Sequence, residues 1–352
     1  MDTDVIIIGG GLSGLALADH LQRAGIAYQL LEARARFGGR IKVASVGEGY
    51  FDLGPSWFWP GQPRMAAMVE RFGLTVFDQY STGTLCYEDE AGIVHRDLGF
   101  SSMEGSYRIQ GGIAALIDGL VASLDRQNIM TDAVVQTVHD NAGVAVELQS
   151  GEIIKGKRIV LAIPPRVAAN LGYEPALSLA AMDAMRSVPT WMGGQAKFVA
   201  TYDRPFWREK GLSGDAMSRY GPLMEIHDAT DPKTGVGALF GFVGIPAGAR
   251  QGQGSAIELA AIEQLGRIFG QQALSPEKVF YQDWVGQMET ASDLDLAPLT
   301  EHPAYGLPDA LSDLWKKRLR MGSTEVAVQF GGFLEGALEV AEQLAQDLIA
   351  DR

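Results

Sequence analysis

The sequence has a single cysteine, Cys86, among 352 residues. That excludes an intramolecular disulfide framework and any zinc or iron–sulfur site built on several thiolates, and it suits a reducing compartment. Positive charge is also scarce: 29 Lys and Arg against 43 Asp and Glu leave a formal charge of −14. An acidic surface repels phosphate backbones, so nucleic acid is excluded as a partner. No apolar run reaches the roughly 18 to 20 residues that span a bilayer. The start, Met1-Asp2-Thr3-Asp4, lacks the positive n-region of a signal peptide. A cytoplasmic protein with no membrane partner is expected. Internal repeats and low-complexity tracts are missing too, and 47% hydrophobic residues argue against disorder.

Several reaction classes lack their residues. Ser13 and Ser56 have no histidine at a suggestive spacing, which leaves hydrolase chemistry without support. Glu225-Ile226-His227-Asp228 offers ligand types for a metal, but a strand would put Glu225 and His227 on one face and Asp228 on the other. No third ligand is evident, and no metal is expected. His20, His95 and His139 stand singly, and Lys316-Lys317-Arg318 reads as a solvated helix end.

Glycine, by contrast, is abundant: 43 residues, where a chain of this length ordinarily carries roughly 25. Backbone must therefore approach something closely. The length predicts two domains, interleaved along the chain. Asp4 to Gly9 is a β-branched run bounded by glycine, which reads as a strand buried on both faces. Leu12 to Ala24 repeats apolar residues at helical spacing and ends at Gly25, and Tyr28 to Leu31 reads as a second strand. Together these make a parallel βαβ unit. Further strands are expected at Val134 to Val138, Val144 to Leu148, Ile159 to Ala162, Lys197 to Tyr202 and Ala238 to Val243. Helices are expected at Ile113 to Leu124, Ala256 to Phe269 and from Leu334 onward.

Between the first strand and helix, Gly9-Gly10-Gly11-Leu12-Ser13-Gly14 matches G-x-G-x-x-G. Gly9 permits the tight turn, Gly11 lets a pyrophosphate reach the backbone, and Gly14 lets helix and strand pack closely. The pyrophosphate would then rest on the helix N-terminus, where free N–H groups and the dipole favour negative charge. Glu32, eighteen residues after Gly14, is placed to accept a ribose hydroxyl. An acid there disfavours NADP and serves NAD and FAD equally.

Three further stretches bear on that choice. Leu31-Glu32-Ala33-Arg34-Ala35-Arg36-Phe37-Gly38-Gly39-Arg40, Phe51-Asp52-Leu53-Gly54-Pro55-Ser56-Trp57, and Gly322-Ser323-Thr324-Glu325 with Gly331-Gly332-Phe333-Leu334-Glu335-Gly336-Ala337 together resemble the flavin-containing amine oxidase family, which includes the monoamine oxidases. The resemblance spans most of the chain. It implies noncovalent FAD held by Gly9, Gly11, Leu12, Ser13, Gly14, Glu32, Ala33, Arg34, Gly38, Gly39 and Arg40. It adds Gly54, Pro55, Ser56 and Trp57 beside the flavin ring, Val134 through its backbone near adenine, Trp284 near the dimethylbenzene end, and Thr324, Glu325, Gly332, Phe333 and Leu334 at the C-terminal motifs. On physical grounds alone, a helix beginning near Phe333 aims its N–H groups at whatever precedes it, which suits a flavin edge that becomes anionic on reduction.

Lys197, in Ala196-Lys197-Phe198-Val199-Ala200-Thr201-Tyr202-Asp203-Arg204-Pro205-Phe206-Trp207-Arg208, resembles the family lysine that holds a water against flavin N5. From sequence alone, without the resemblance, it reads first as an edge residue snorkelling to solvent. Phe333 stands where the monoamine oxidases place one of two tyrosines flanking the amine, and Tyr305 is the candidate for the opposite wall. The His302 to Gly306 segment carries no cysteine to link a flavin. About fifty residues separate the flavin-edge motif from Gly111-Gly112, fewer than larger relatives use to cover the substrate, and no anchoring tail follows the last helix.

The expected fold is α/β of mixed type: a Rossmann-like FAD-binding domain (1–76, 108–186 and 298–352) interleaved with a smaller mixed-sheet substrate-binding domain (77–107 and 187–297). The expected reaction is oxidation of a small-molecule amine to an imine, hydrolysed to aldehyde or ketone, with O2 reduced to H2O2. A C–C desaturase or protoporphyrinogen-oxidase-like dehydrogenase, and a non-catalytic FAD-binding protein, share the FAD motifs and stay open as alternatives. The oligomeric state is not legible.

Overall fold

A computed structural model describes residues 3–351 apart from 142, 298 and 300. The expected domain boundary at 298, the terminal residues Met1, Asp2 and Arg352, and the boundaries drawn at 1 and 352 lie outside the described residues. The chain opens with the βαβ unit that its pattern predicts: β1 (Thr3–Ile8), α1 (Leu12–Arg23) and β2 (Tyr28–Leu31). β1 and β2 run parallel, with Val5 opposite Tyr28 and Ile8 opposite Leu31. On its other edge β1 pairs parallel with the long strand Ile153–Leu161. A strand flanked on both edges and covered on both faces loses all contact with water, which is why Val5, Ile6 and Ile7 are fully buried and why the run carries no alternation.

Ile153–Leu161 begins six residues earlier than its apolar end suggests. Its first half alternates exposed and half-buried residues and pairs antiparallel with Val144–Leu148. Its last three residues are buried between β1 and Leu319–Met321, both parallel to it. The eight-stranded sheet is completed by Val135–Asp140, Gly172–Glu174 and Ile129–Met130. The helix Leu334–Ala350 lays its buried face, including Ala341, Leu344, Ala345 and Leu348, into the same core as α1.

A second sheet of seven strands runs in the order Lys278–Asp283, Ala196–Tyr202, Gly237–Val243, Leu223–Asp228, Leu212–Ser218, Thr84–Glu88, Val94–Arg96. All seven residues of Ala196–Tyr202 are buried, because neighbours pair with it on both edges and the helix Gly254–Phe269 shares its core. Lys197 therefore has no route to solvent along an edge. The molecule is a mixed α/β protein with several sheets, as its pattern predicts.

One local expectation is corrected. Trp315, Lys316 and Lys317 all take left-handed backbone, with φ of 48°, 57° and 62°. The basic run is a tight turn feeding Leu319–Met321 and not a helix end.

The glycine turn after β1 shows what close packing demands. A β-carbon on Gly14 would lie 2.0 Å from the Gly9 carbonyl oxygen and 3.2 Å from Ala162. Gly14→Ala is expected to cost about 1–3 kcal/mol through forced displacement of α1 from β1. Thermal unfolding of the variant beside the parent checks this, and an unchanged Tm would contradict the contact.

Candidate active site

The parallel strands β1 and Ile153–Leu161 end side by side, and ligands of open α/β sheets bind beyond such carboxyl ends. A cavity of about 360 Å³ lies there, reaching from the glycine turn to the second sheet. Its near end, at the glycine turn, is lined by Gly9, Gly11, Leu12, Ser13, Glu32, Arg34, Gly38, Gly39 and Arg40. Gly54, Pro55, Ser56, Trp57, Trp284 and Lys197 also line the cavity, as do Thr324, Gly332, Phe333 and Leu334, leading into the last helix; the Gly322 carbonyl before them accepts the Ser13 hydroxyl. The structure thus brings these sequence-selected residues to one space.

Others stand behind it. Gly14 packs helix on strand. Glu325 is fully buried, 2.6 Å from Arg40 Nη1. Ala33 and Val134 do not line the cavity; Val134 is 40% exposed, and its carbonyl accepts the Gln149 N–H. Tyr305 also lies off the cavity wall. Its hydroxyl donates to the Pro189 carbonyl at 2.9 Å, and its ring fills the place a β-carbon on Gly331 would take. The ring stacked on Phe333 is His302, with centroids 5.1 Å apart and planes 15° from parallel. Trp59 meets Phe333 edge-on, and Trp191 contacts His302 at 4.5 Å. Sequence reasoning missed His302, Trp191, Met192, Gln195, Met103 and Glu289, of which all but His302 line the cavity. They come from loops that carry no spacing signal.

The near end is built to receive an anion. α1 has no side-chain cap and no acid in its first turn, so its leading N–H groups face the cavity unsatisfied. Glu32, 4% exposed, accepts the Gly10 N–H at 2.9 Å through one oxygen and the Arg34 N–H at 3.0 Å through the other. That holds both oxygens at the rim of the glycine turn. The helix Leu334–Ala350 is likewise uncapped. The one acid in its first turn, Glu335, is turned away to accept the N–H groups of Arg64 and Met65 at the start of the helix Pro63–Arg71. Both helix ends keep free donors for a ligand.

Lys197 is 2% exposed. Its Nζ donates to Ser56 Oγ at 2.6 Å and to the Gly54 carbonyl at 3.1 Å, and it sits 3.9 Å from the centroid of Phe240. Burial pushes its pKa down from 10.5 to about 7; the carboxylate of Asp52 pulls the other way, and the cation of Arg108 adds to the lowering. Asp52 is itself pushed up by burial, and its Oδ1 accepts the Ile113 N–H at 2.9 Å.

A sequence profile of the flavin containing amine oxidoreductase family matches residues 12–90 and 76–349. The chain belongs to this family. An L-amino acid dehydrogenase of Synechocystis sp. is 25% identical over 461 residues, covering 98% of this chain and 94% of that protein. The aligned stretch exceeds the chain's own length, so the relative carries insertions that this family member lacks. A putrescine oxidase of Kocuria rosea is 23% identical, with 87% of each chain covered. The solved cyclohexylamine oxidase of Brevibacterium oxydans superposes with a TM-score of 0.84 at 19% identity over 100% of this chain and 99% of its own, a likeness of fold. Members of the family are oxidoreductases that act on amines through a flavin.

The cavity fits a flavin dinucleotide. Arg34 Nη1 and Ser323 Oγ are buried at its lining without a hydrogen-bond partner, and both are donors. Gly54 lets two cavity-lining stretches pack backbone to backbone: a β-carbon there would lie 2.0 Å from the Arg40 carbonyl oxygen. Arg34→Ala is expected to weaken flavin binding about 10- to 100-fold, the worth of a charge-assisted hydrogen bond. Titrating apoprotein with FAD and following flavin fluorescence measures it, and an unchanged Kd would contradict the placement of Arg34.

Proposed function

We propose that this chain binds FAD without a covalent link and oxidises a small-molecule amine. Amine, water and O2 give aldehyde or ketone, ammonia (or a smaller amine) and H2O2. The observation that carries the reading is a buried lysine, its pKa pushed down to about 7 by burial, on the wall of a cavity whose other groups suit a dinucleotide. Bound there, a flavin would supply a two-electron acceptor for amine oxidation that O2 can reoxidise.

The chain's own residues do the rest. The N–H groups opening α1 and the Arg34 guanidinium hold the pyrophosphate, and Glu32 accepts a ribose hydroxyl. The uncapped N-terminus of Leu334–Ala350 would stabilise negative charge on a flavin ring held beside it. Phe333, backed by His302 and Trp59, offers an apolar wall that orients the amine without hydrogen-bonding it. Lys197 keeps Ser56 and the Gly54 carbonyl in place as donor, and above about pH 7 its free lone pair holds a water or accepts a proton. Noncovalent attachment is supported by Cys86, which is buried in the second sheet beside Arg96 and off the cavity lining, and by the missing thiol in His302 to Gly306.

The division into an FAD-binding domain (1–76, 108–186, 298–352) and a substrate-binding domain (77–107, 187–297) is proposed on the same footing. The eight-stranded sheet is drawn from the first set of residues, and all seven strands of the other sheet fall in the second. A cytoplasmic location is proposed from the single free thiol and the acidic charge; among the described residues no helix is long and apolar enough to cross a membrane.

A second reading concerns the acceptor alone. The Synechocystis relative is a dehydrogenase by name, which favours an acceptor other than O2. One experiment separates these readings: anaerobic addition of primary, secondary and polyamines to the purified yellow protein, then air. Bleaching near ~450 nm followed by return of colour with stoichiometric peroxide is the expected result. Bleaching that air reverses slowly and without peroxide supports the dehydrogenase. A flavin that no amine bleaches contradicts the amine reading and returns the desaturase and non-catalytic alternatives.

A further inference from the structure

The segment 97–106 joins the strand Val94–Arg96 of the second sheet to the strand Tyr107–Ile109. It crosses the sheet face beside the cavity and brings Met103 to the lining, where the side chain packs with the group formed by Trp57, Phe240 and Phe242. Two turns fix Met103. Its carbonyl accepts both the N–H and the hydroxyl of Ser106, and the Glu104 N–H bonds to the Ser101 carbonyl. The outer face presents Leu98 and Phe100 to solvent, 50% and 65% exposed.

Two consecutive serines tie the segment down. The Ser101 hydroxyl donates to Asp215 Oδ2 at 2.5 Å, and the Ser102 hydroxyl donates to Glu225 Oε1. The same two carboxylates grip His227 from opposite sides: Nδ1 lies 2.9 Å from Asp215 Oδ1 and Nε2 lies 3.0 Å from Glu225 Oε1. A neutral imidazole donates from one nitrogen only, whereas an imidazolium donates from both. Burial opposes charge on this ring, yet the bonds to Asp215 and Glu225 outweigh it and hold its pKa above the ordinary value. His227 is 1% exposed and meets the cavity residue Trp57 edge-on, with centroids 5.0 Å apart. The space left between segment and strands is about 10 Å³, room for about one water. Asp97, Gly99 and Gly105, at the two ends of the segment, take positive φ of 57°, 110° and 79°.

We propose that residues 97–106 form a latched lid over the substrate end of the cavity, held shut by Ser101 and Ser102 on the Asp215–His227–Glu225 cluster, and that Met103 on this lid sets the size of amine admitted. The proposal rests on the amine-oxidising reading for its second half only. It gives a role to the buried Asp215–His227–Glu225 cluster, because His227 bridges the two carboxylates and each carboxylate takes one serine hydroxyl. In a chain that lacks the insertions of its longer relative, this short strap does the covering. His227, Asp215 and Glu225 are positioning residues, since none lines the cavity.

The test uses the full-length flavin-loaded protein and the variants Ser101→Ala/Ser102→Ala, Ser101→Thr/Ser102→Thr and Met103→Ala. Hydrogen exchange of the 97–106 amides, read by mass spectrometry, is expected to speed at least about tenfold in the double alanine variant and to return toward the parent in the double threonine variant, which keeps both hydroxyls. Equal exchange in the parent and both double variants overturns the latch, whatever the protein oxidises. For selectivity, kcat/KM for a bulky arylalkylamine relative to a short alkylamine is expected to rise about tenfold in Met103→Ala and in the double alanine variant. In the double alanine variant, saturated anaerobic flavin reduction by the short amine should stay within about twofold. An unchanged ratio overturns the role of Met103. Failure of every amine to reduce the parent flavin overturns the amine reading, and with it the selectivity half, while the exchange result still decides the latch.

Discussion

A primary amine buried in the middle of a sheet has to be held by something, and how Lys197 is held accounts for much of this structure. Its strand is paired on both edges, so the side chain cannot reach water and must point toward the cavity. The partners it finds there, Ser56 Oγ and the Gly54 carbonyl, belong to the stretch that follows the two-stranded sheet of Val43–Val46 and Gly49–Asp52. That stretch is fixed in turn by the Trp284 indole, which donates to the Leu53 carbonyl at 3.0 Å, and by the absence of a side chain at Gly54. One amine therefore ties the second sheet to the stretch Gly54 to Ser56 on the cavity wall. The same burial that makes the site costly strips its proton near neutrality, which turns a structural linchpin into a candidate base.

The opposite end of the cavity follows from a different constraint. Two long helices begin there with free N–H groups, and the acids that would ordinarily cap them are engaged elsewhere: Glu335 serves the helix Pro63–Arg71, and Glu32 braces the glycine turn. Unsatisfied donors gathered in one place, with Arg34 Nη1 and Ser323 Oγ among them, are stable only if a ligand rich in acceptors completes them. Trp57 and Trp284 line the same cavity as these donors and Lys197.

The opening βαβ unit was legible because every local signal there agrees: a fully buried strand shows no alternation, and glycines bracket the helix. That the glycine-turn residues and the stretch Glu32 to Arg40 share one cavity was legible for the same reason, since they lie close together in sequence. The substrate end was not. Phe333 could be anticipated, but which aromatic ring would stand beside it depends on the course of the loop through His302 to Gly306. There the Pro189 carbonyl captures the Tyr305 hydroxyl and leaves His302 to stack. Trp191, Met192 and Met103 arrive from loops whose positions are set by the second sheet, several of whose strands carry no clear periodicity. Lys316 and Lys317 misled because charge alone does not separate a helix end from a left-handed turn.

The central claim is that the buried amine of Lys197 works in its neutral form. The pH dependence of kcat with a saturating amine, measured for the parent and for Lys197→Met, addresses it directly. A lysine whose pKa lies near 7 is protonated below that value, so parent turnover is predicted to rise with pH through about 7 and then level off. The variant, still yellow, is predicted to turn over about 100-fold more slowly and to lack that limb. A variant that keeps the limb, or turns over as fast as the parent, would contradict the account.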